Sequence, residues 1–218
     1  MTEAAPENSS RFETFTDWAR ARAKWFLDPS GVFLARIGIH PNVLTILGLI
    51  GNSAGAVLLA WGNFTLGGIV IFLMAPIDAL DGATARASGE KSVWGAFVDS
   101  TVDRWTEAIT MLGLLIHYIG INNARMTVLV FITLVGSLMV SYTRTRAEAL
   151  GFDAKVGLMS RLERYIILIP ALVFGHPEWA LWIIAITANG TAVQRMFHVR
   201  KQWYSKLTDR EQEFANKD

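Results

Sequence analysis

The chain contains no cysteine. That excludes a disulfide framework, thiolate metal ligands and a cysteine nucleophile. Its four histidines, His40, His117, His176 and His198, are scattered, so they spell out no imidazole metal centre. Charge is also scarce, at 18% of residues, and the net formal charge is +1. That balance gives no electrostatic case for nucleic acid, and no such partner is expected. The N-terminus is polar and acidic through Glu7, without a basic start and a short apolar core, so no cleavable signal is expected. There is no internal repeat and no low-complexity segment. What the chain does have is apolar residues. They make up 52% of its 218 positions, and the mean hydropathy is +0.33. One membrane domain fits these values better than a soluble core with an anchor.

Against that background the segment 78–103 stands apart. It reads Asp78-Ala-Leu-Asp81-Gly82-Ala-Thr-Ala85-Arg86, then eight residues to Gly95, then Asp99 and Asp103. The flanking runs Ile69–Pro76 and Ala108–Ile116 carry no charge. A carboxylate inside a bilayer helix is costly and is by default functional. Asp78, Asp81, Gly82 and Ala85 follow i, i+3, i+4, i+7, and Asp99 and Asp103 are i, i+4, so each set shares one helix face. Ala87–Trp94 between them reads as a turn. The segment is therefore expected to be two antiparallel helices with a hairpin near Glu90. Counting outward at about 1.5 Å per residue, Asp81 faces Asp99 and Asp78 faces Asp103.

Converging carboxylates repel one another unless a cation is present. Oxygen-only ligands favour Mg²⁺ or Mn²⁺ over zinc. A pair of such ions can bridge phosphate oxygens and support an in-line displacement. Gly82, Ala85 and Gly95 remove bulk on the same side. Arg86 supplies a fixed charge suited to phosphate.

The pattern Asp-x2-Asp-Gly-x2-Ala-Arg-x8-Gly-x3-Asp-x3-Asp resembles the signature of the CDP-alcohol phosphotransferase family, and every fixed position is present. The resemblance implies an integral membrane enzyme that moves a substituted phosphate from a CDP-linked alcohol to a hydroxyl acceptor and releases CMP. It implies that Asp78, Asp81 and Asp99 are metal ligands and that Asp103 is the general base and a further metal contact. It also implies that Asp81, Gly82, Ala85, Arg86 and Gly95 line the nucleotide side. Pro41-Asn42-x-x-Thr45 is similar to the family's N-terminal nucleotide-contacting segment, although proline at a helix start has a capping reading as well.

The rest of the chain reads as an all-α integral membrane protein. Residues 1–40 are a tail and interfacial amphipathic helices, with Arg11–Leu27 as the first helix. Asp28-Pro29-Ser30-Gly31 is expected to break it, and Gly31–Ile39 to form a second. Residues 41–200 hold six spans, near 42–61, 65–86, 93–118, 125–150, 161–174 and 178–197. Gly48, Gly51, Asn52 and Gly55 form a small-residue packing face. Residues 201–218 are a charged cytoplasmic tail. Arg and Lys collect before the first span, in the second connection, around the end of the fourth span and after the sixth. By the positive-inside rule both termini are cytoplasmic, in a plasma membrane, and the Asp hairpin lies on that face.

Arginines form a second constellation. Ser141-Tyr-x3-Arg146-Ala-Glu148-Ala-x-Gly151 and Gly157-x3-Arg161-x-Glu163-Arg164 resemble the branch that makes phosphatidylinositol phosphate or archaetidylinositol phosphate. That resemblance implies Arg146 and Arg164 as ligands of the acceptor's phosphate, supported by Arg144, Arg161 and Arg195. Arg144 stands where many relatives of that branch carry Lys. The expected substrates are a CDP-diacylglycerol-type lipid and a phosphorylated polyol, foremost inositol phosphate, within a membrane-embedded homodimer. Glycerol phosphate or another alcohol is the alternative acceptor. A prenyl-transferring enzyme also uses Asp-rich helices, but lacks the Gly82-x2-Ala85-Arg86 continuation. A cation transporter with an intramembrane Asp site is the alternative of another class, and would favour mid-bilayer carboxylates and a repeat.

Overall fold

A computed structural model describes residues 15–89 and 92–215, with the backbone alone at 15–24, 26, 78 and 209–215. The hairpin tip at Glu90 and the tail 1–10 lie outside the described residues. So does the start of the first amphipathic helix. Among the described residues the fold is seven α-helices and no strand. They are α1 (Phe15–Arg36), α2 (Pro41–Ala60), α3 (Phe64–Ser88), α4 (Val93–Gly120), α5 (Ala124–Ala149), α6 (Arg161–Val173) and α7 (Pro177–Ala215).

Local chemistry sets most of these boundaries. Four helix starts are closed by the residue before the helix, whose side chain accepts a backbone N–H. His40 accepts from Asn42, Asn63 from Leu66, Ser92 from Gly95 and Asn123 from Met126. Each side chain satisfies one amide that the helix itself cannot. Pro41 occupies the first turn of α2, where its missing N–H is not needed. Gly89 ends α3 in the left-handed region, at φ 74°, a conformation that glycine adopts without steric cost.

One expectation is corrected. Asp28-Pro29-Ser30-Gly31 does not break the first helix, because α1 runs through Pro29 to Arg36. Packing outweighs the lost hydrogen bond there: α1 lies on α3, and a Cβ on Gly31 would stand 2.7 Å from the Ala83 carbonyl carbon. The charged tail, read from its composition as a solvated helix, is helical over its described part. α7 passes residue 200 without interruption and ends at Ala215, 39 residues in all.

α2 packs against α3 and α4, α5 against α7, and α6 against α3 and α7. Small residues allow the close approaches. A Cβ at Gly113 would meet the Ala56 carbonyl oxygen at 2.3 Å, and one at Gly55 would meet Ile71 at 2.7 Å. The apolar core runs from Leu59, Ile71 and Leu114 through Leu129 and Val130 to Leu168, Leu172, Leu181 and Ile184. Outward-facing positions are equally apolar, among them Ile50, Phe72, Phe131 and Ile186. Such surface suits lipid and not water.

Among the described residues three helices are long and apolar enough to cross a membrane: Pro41–Ala60, Phe64–Ser88 and Ala124–Ala149. α4 misses that standard because Asp99, Asp103, Arg104 and Glu107 fall in its first half. α6 has only 13 residues.

Candidate active site

α3 and α4 bring their acidic ends to one cavity of about 870 Å³. Asp81, Gly82 and Arg86 line it from α3, and Asp99, Asp103 and Arg104 from α4. α5 contributes Arg144 and Glu148, α6 contributes Arg161 and Tyr165, and α7 contributes Arg195. The α3–α4 side thus carries three carboxylates together with Arg86 and Arg104, and the α5–α7 side carries three guanidinium groups together with Glu148. The helical pairing of acids expected around the hairpin places Asp81, Asp99 and Asp103 together. Of Asp78 only the backbone is described.

Asp81 is the most enclosed of these acids, 5% exposed. Thr45 on α2 donates its hydroxyl hydrogen to Asp81 Oδ2 at 2.7 Å. The Pro41–Thr45 segment therefore meets the site through Thr45. Pro41 and Asn42 are not part of the cavity wall. Arg86 Nη2 lies 3.3 Å from Asp28 Oδ1 of α1, in a pair largely open to solvent. Ala85 and Gly95 also stand off the wall. The Gly95 amide is taken up by the Ser92 cap. At Gly82 an added Cβ would meet nothing closer than its own helix's Arg86 Nη1 at 3.6 Å, so small size there serves the cavity and not helix packing.

Asp103 sits between two cations. Arg161 Nη1 donates to its Oδ1, and Arg104 Nη1 approaches its Oδ2 at 3.4 Å. The Arg161 guanidinium also stacks over the Tyr165 ring, 5.1 Å from its centroid. Arg144 Nε donates to Glu148 Oε1 at 2.9 Å one turn further along α5. Arg195 is buried. It donates to the carbonyls of Val140 and Val156, so one side chain joins α7, α5 and the loop before α6.

The five arginines expected at the acceptor's phosphate fall in different places. Arg146 is exposed and not on the cavity wall. Arg164 is buried, 2% exposed, and committed to Glu107. The three arginines named as supporting residues, Arg144, Arg161 and Arg195, are the ones that line the cavity. Arg144 and Arg146, two apart, point to different faces of α5, whereas Arg164, three residues beyond Arg161 and close to the same face, lies one turn deeper against Glu107.

Glu107 is a residue that sequence reasoning missed. It extends the Asp99, Asp103 series by another i+4 step, and that spacing was the available signal. Asn52 is a second. It lines the cavity and is buried, its Nδ2 donates to the Gly48 carbonyl at 2.8 Å, and its Oδ1 has no partner among the described residues.

The donor set fits a hard divalent cation, being carboxylate oxygens without imidazole or thiolate. Among the described residues no three such side chains are grouped tightly enough to hold an ion. The side chain of Asp78 lies outside the described residues.

The profile of the family described as CDP-alcohol phosphatidyltransferase matches residues 38–194. An archaetidylinositol phosphate synthase of Pyrococcus horikoshii is 38% identical over 184 residues, covering 84% of this chain and 95% of that protein. A phosphatidylinositol phosphate synthase of Streptomyces avermitilis is 38% identical over 201 residues, covering 85% and 82%. The crystal structure of Mycobacterium tuberculosis phosphatidylinositol phosphate synthase with CDP-DAG bound superposes with a TM-score of 0.73 at 32% identity, covering 80% of this chain and 94% of that one. The same enzyme in complex with manganese and citrate gives 0.73 at 32%, covering 79% and 88%.

Proposed function

The chain belongs to the CDP-alcohol phosphatidyltransferase family, and from that membership we propose that it moves the phosphatidyl group of CDP-diacylglycerol to inositol phosphate and releases CMP. The observation that carries the choice of acceptor is the two-sided cavity. Carboxylates for a metal-bound diphosphate stand on one wall, and Arg144, Arg161 and Arg195 for a second phosphate stand on the other. A neutral alcohol needs no such guanidinium wall.

In this reading Asp78, Asp81, Asp99 and Asp103 hold Mg²⁺ or Mn²⁺, two ions in all, which would offset the charge of the diphosphate. Thr45 keeps one oxygen of Asp81 hydrogen-bonded and so fixes the carboxylate's rotation. Gly82 and Arg86, on the cavity wall, would form the nucleotide end, with Pro41, Asn42, Ala85 and Gly95 behind them as its surround. Arg161 touches Asp103. A phosphate held by Arg161 therefore delivers the acceptor's hydroxyl to the neighbourhood of that carboxylate. Asp103 takes the hydroxyl proton, and the oxygen attacks the phosphorus that bears diacylglycerol. The phosphoanhydride bond to the cytidylyl phosphate breaks, and CMP leaves with the electron pair. Positioning supplies much of the rate in such a displacement.

All of α2 to α7 would span the membrane, giving six spans. α4 falls short on hydropathy because its charges face the cavity or Arg164, where a span tolerates them. Both termini would be cytoplasmic in the plasma membrane, with the cavity on that side, and the enzyme would be a homodimer.

Acceptor-dependent CMP release by the purified protein in mixed micelles of CDP-diacylglycerol tests the proposal. Inositol phosphate should drive it, and free inositol should not. Preference for glycerol phosphate would retain the family and change the acceptor. No CMP with any alcohol, together with cation flux in vesicles, would favour a transporter.

A further inference from the structure

Two ion pairs bridge α4 and α6, one above the other. At the cavity wall Arg161 pairs with Asp103. One turn deeper, Arg164 pairs with Glu107, through Nε to Oε1 at 2.7 Å and Nη2 to Oε2 at 2.8 Å. The deeper pair is enclosed, with side chains 2% and 4% exposed. The third nitrogen of Arg164, Nη1, donates to the Met159 carbonyl at 3.2 Å. Met159 stands two residues before Arg161, so the same guanidinium holds the backbone that enters α6.

A buried ion pair is a poor choice for stability alone, since two apolar side chains of similar volume would serve as well or better. What it provides is fixed geometry. Two parallel N–H···O bonds define both separation and angle, where apolar contacts allow sliding. The spacing along each helix then transmits that geometry. Asp103 is four residues before Glu107 and Arg161 three before Arg164, so each member of the cavity pair lies one turn from a member of the buried pair.

We infer that Glu107 and Arg164 are positioning residues: their ion pair sets where Arg161 stands relative to Asp103, and hence where the acceptor is held relative to the group that takes its proton. Arg164 then acts on the acceptor through α6 and not by contact. The inference rests on the transferase reading above.

The test is steady-state kinetics of the purified full-length protein, with CDP-diacylglycerol and inositol phosphate varied separately and the melting temperature recorded for each variant. Wild-type acceptor-dependent CMP release checks the transferase reading by itself. Glu107→Asp keeps the charge and shortens the arm by one methylene. Displacement on the order of 1 Å costs up to roughly a hundredfold in rate. The expected result is therefore kcat down about ten- to a hundredfold, acceptor KM raised several-fold and the CDP-lipid KM within about twofold. Arg164→Lys, which cannot make the double bond, should give the same split. Combining Glu107→Gln with Arg164→Gln should cost no more than the worse single change, because both remove one device.

Two results overturn the inference. If Arg164→Lys raises acceptor KM while both Glu107 variants leave the kinetics of the folded enzyme unchanged, Arg164 contacts the acceptor itself. If every variant lowers the melting temperature and leaves kcat and both KM values intact, the pair is only structural. Should the neutral variants not fold, Glu107→Asp and Arg164→Lys, which keep both charges, carry the decision.

Discussion

Thr45 and Asp81 are 36 residues apart in sequence, and the Thr45 hydroxyl donates to Asp81 Oδ2 at 2.7 Å inside the packed contact between α2 and α3. The same hydroxyl lies 3.3 Å from the Pro41 carbonyl of its own helix. It has one hydrogen to give, and the short, charge-assisted bond to the carboxylate is the stronger of the two. Thr45 is therefore tied to the acidic wall and not merely to its own helix.

Thr45→Val removes that donor and keeps the shape. A hydrogen bond to a charged group is worth about 1.5–3 kcal/mol. With Asp81 no longer oriented, the divalent-cation concentration giving half-maximal CMP release should rise roughly tenfold or more. Thr45→Ser should restore it. An unchanged cation requirement in the valine variant would detach Thr45 from the metal site.

The acids themselves should be far less forgiving. Asp81→Asn and Asp99→Asn each remove a charge from the wall assigned to the cation, and both should abolish turnover with every acceptor. Chelation should stop the wild-type enzyme, and added Mg²⁺ or Mn²⁺ should restore it. Full activity in excess chelator would remove the metal from the scheme.

Much of this site was legible in the sequence, because helical spacing is a reliable map over short distances. Asp81, Asp99 and Asp103 were expected on one side of a hairpin, and they share a cavity. The map fails where two different helices must be phased against each other. Arg146 and Arg164 were favoured over Arg144, Arg161 and Arg195, yet only the latter three line the cavity. Nothing in the local pattern says that Glu107, 57 residues away, will claim Arg164. Pro29 misled for a related reason. Its cost to a helix is local, whereas the compensation comes from Gly31 resting on Ala83 of another helix.

The proposed orientation can be tested by labelling. Single cysteines introduced into this cysteine-free chain report sidedness without background. Asn63, before α3, and Gly175, after α6, stand in connections opposite the cavity end and should react with an impermeant maleimide applied to whole cells. Ser88, at the end of α3, should react only after the membrane is opened. Labelling in the reverse sense would place the cavity outside and remove its access to CDP-linked substrates.

The acceptor wall separates the arginines by position. Arg144 is partly open, with its side chain 39% exposed, and its bond to Glu148 one turn away is an exposed i, i+4 pair. Such a pair contributes only about 0.3–0.5 kcal/mol, so Arg144→Ala should fold as well as the wild type. A guanidinium that grips a phosphate monoester contributes more, about 1.5–3 kcal/mol. Arg144→Ala should therefore raise the acceptor KM roughly ten- to a hundredfold, with little change in the CDP-lipid KM. Arg161→Ala should do the same and also lower kcat, because it stands against Asp103. Arg195→Ala should lose stability as well, since it releases the Val140 and Val156 carbonyls in a buried place. Arg146→Ala, exposed and off the wall, should stay within about twofold of wild type in both constants, within the range of a surface change. If Arg146→Ala has the large acceptor effect and Arg144→Ala has none, the phosphate binds outside this cavity, and the facing walls lose their assigned roles.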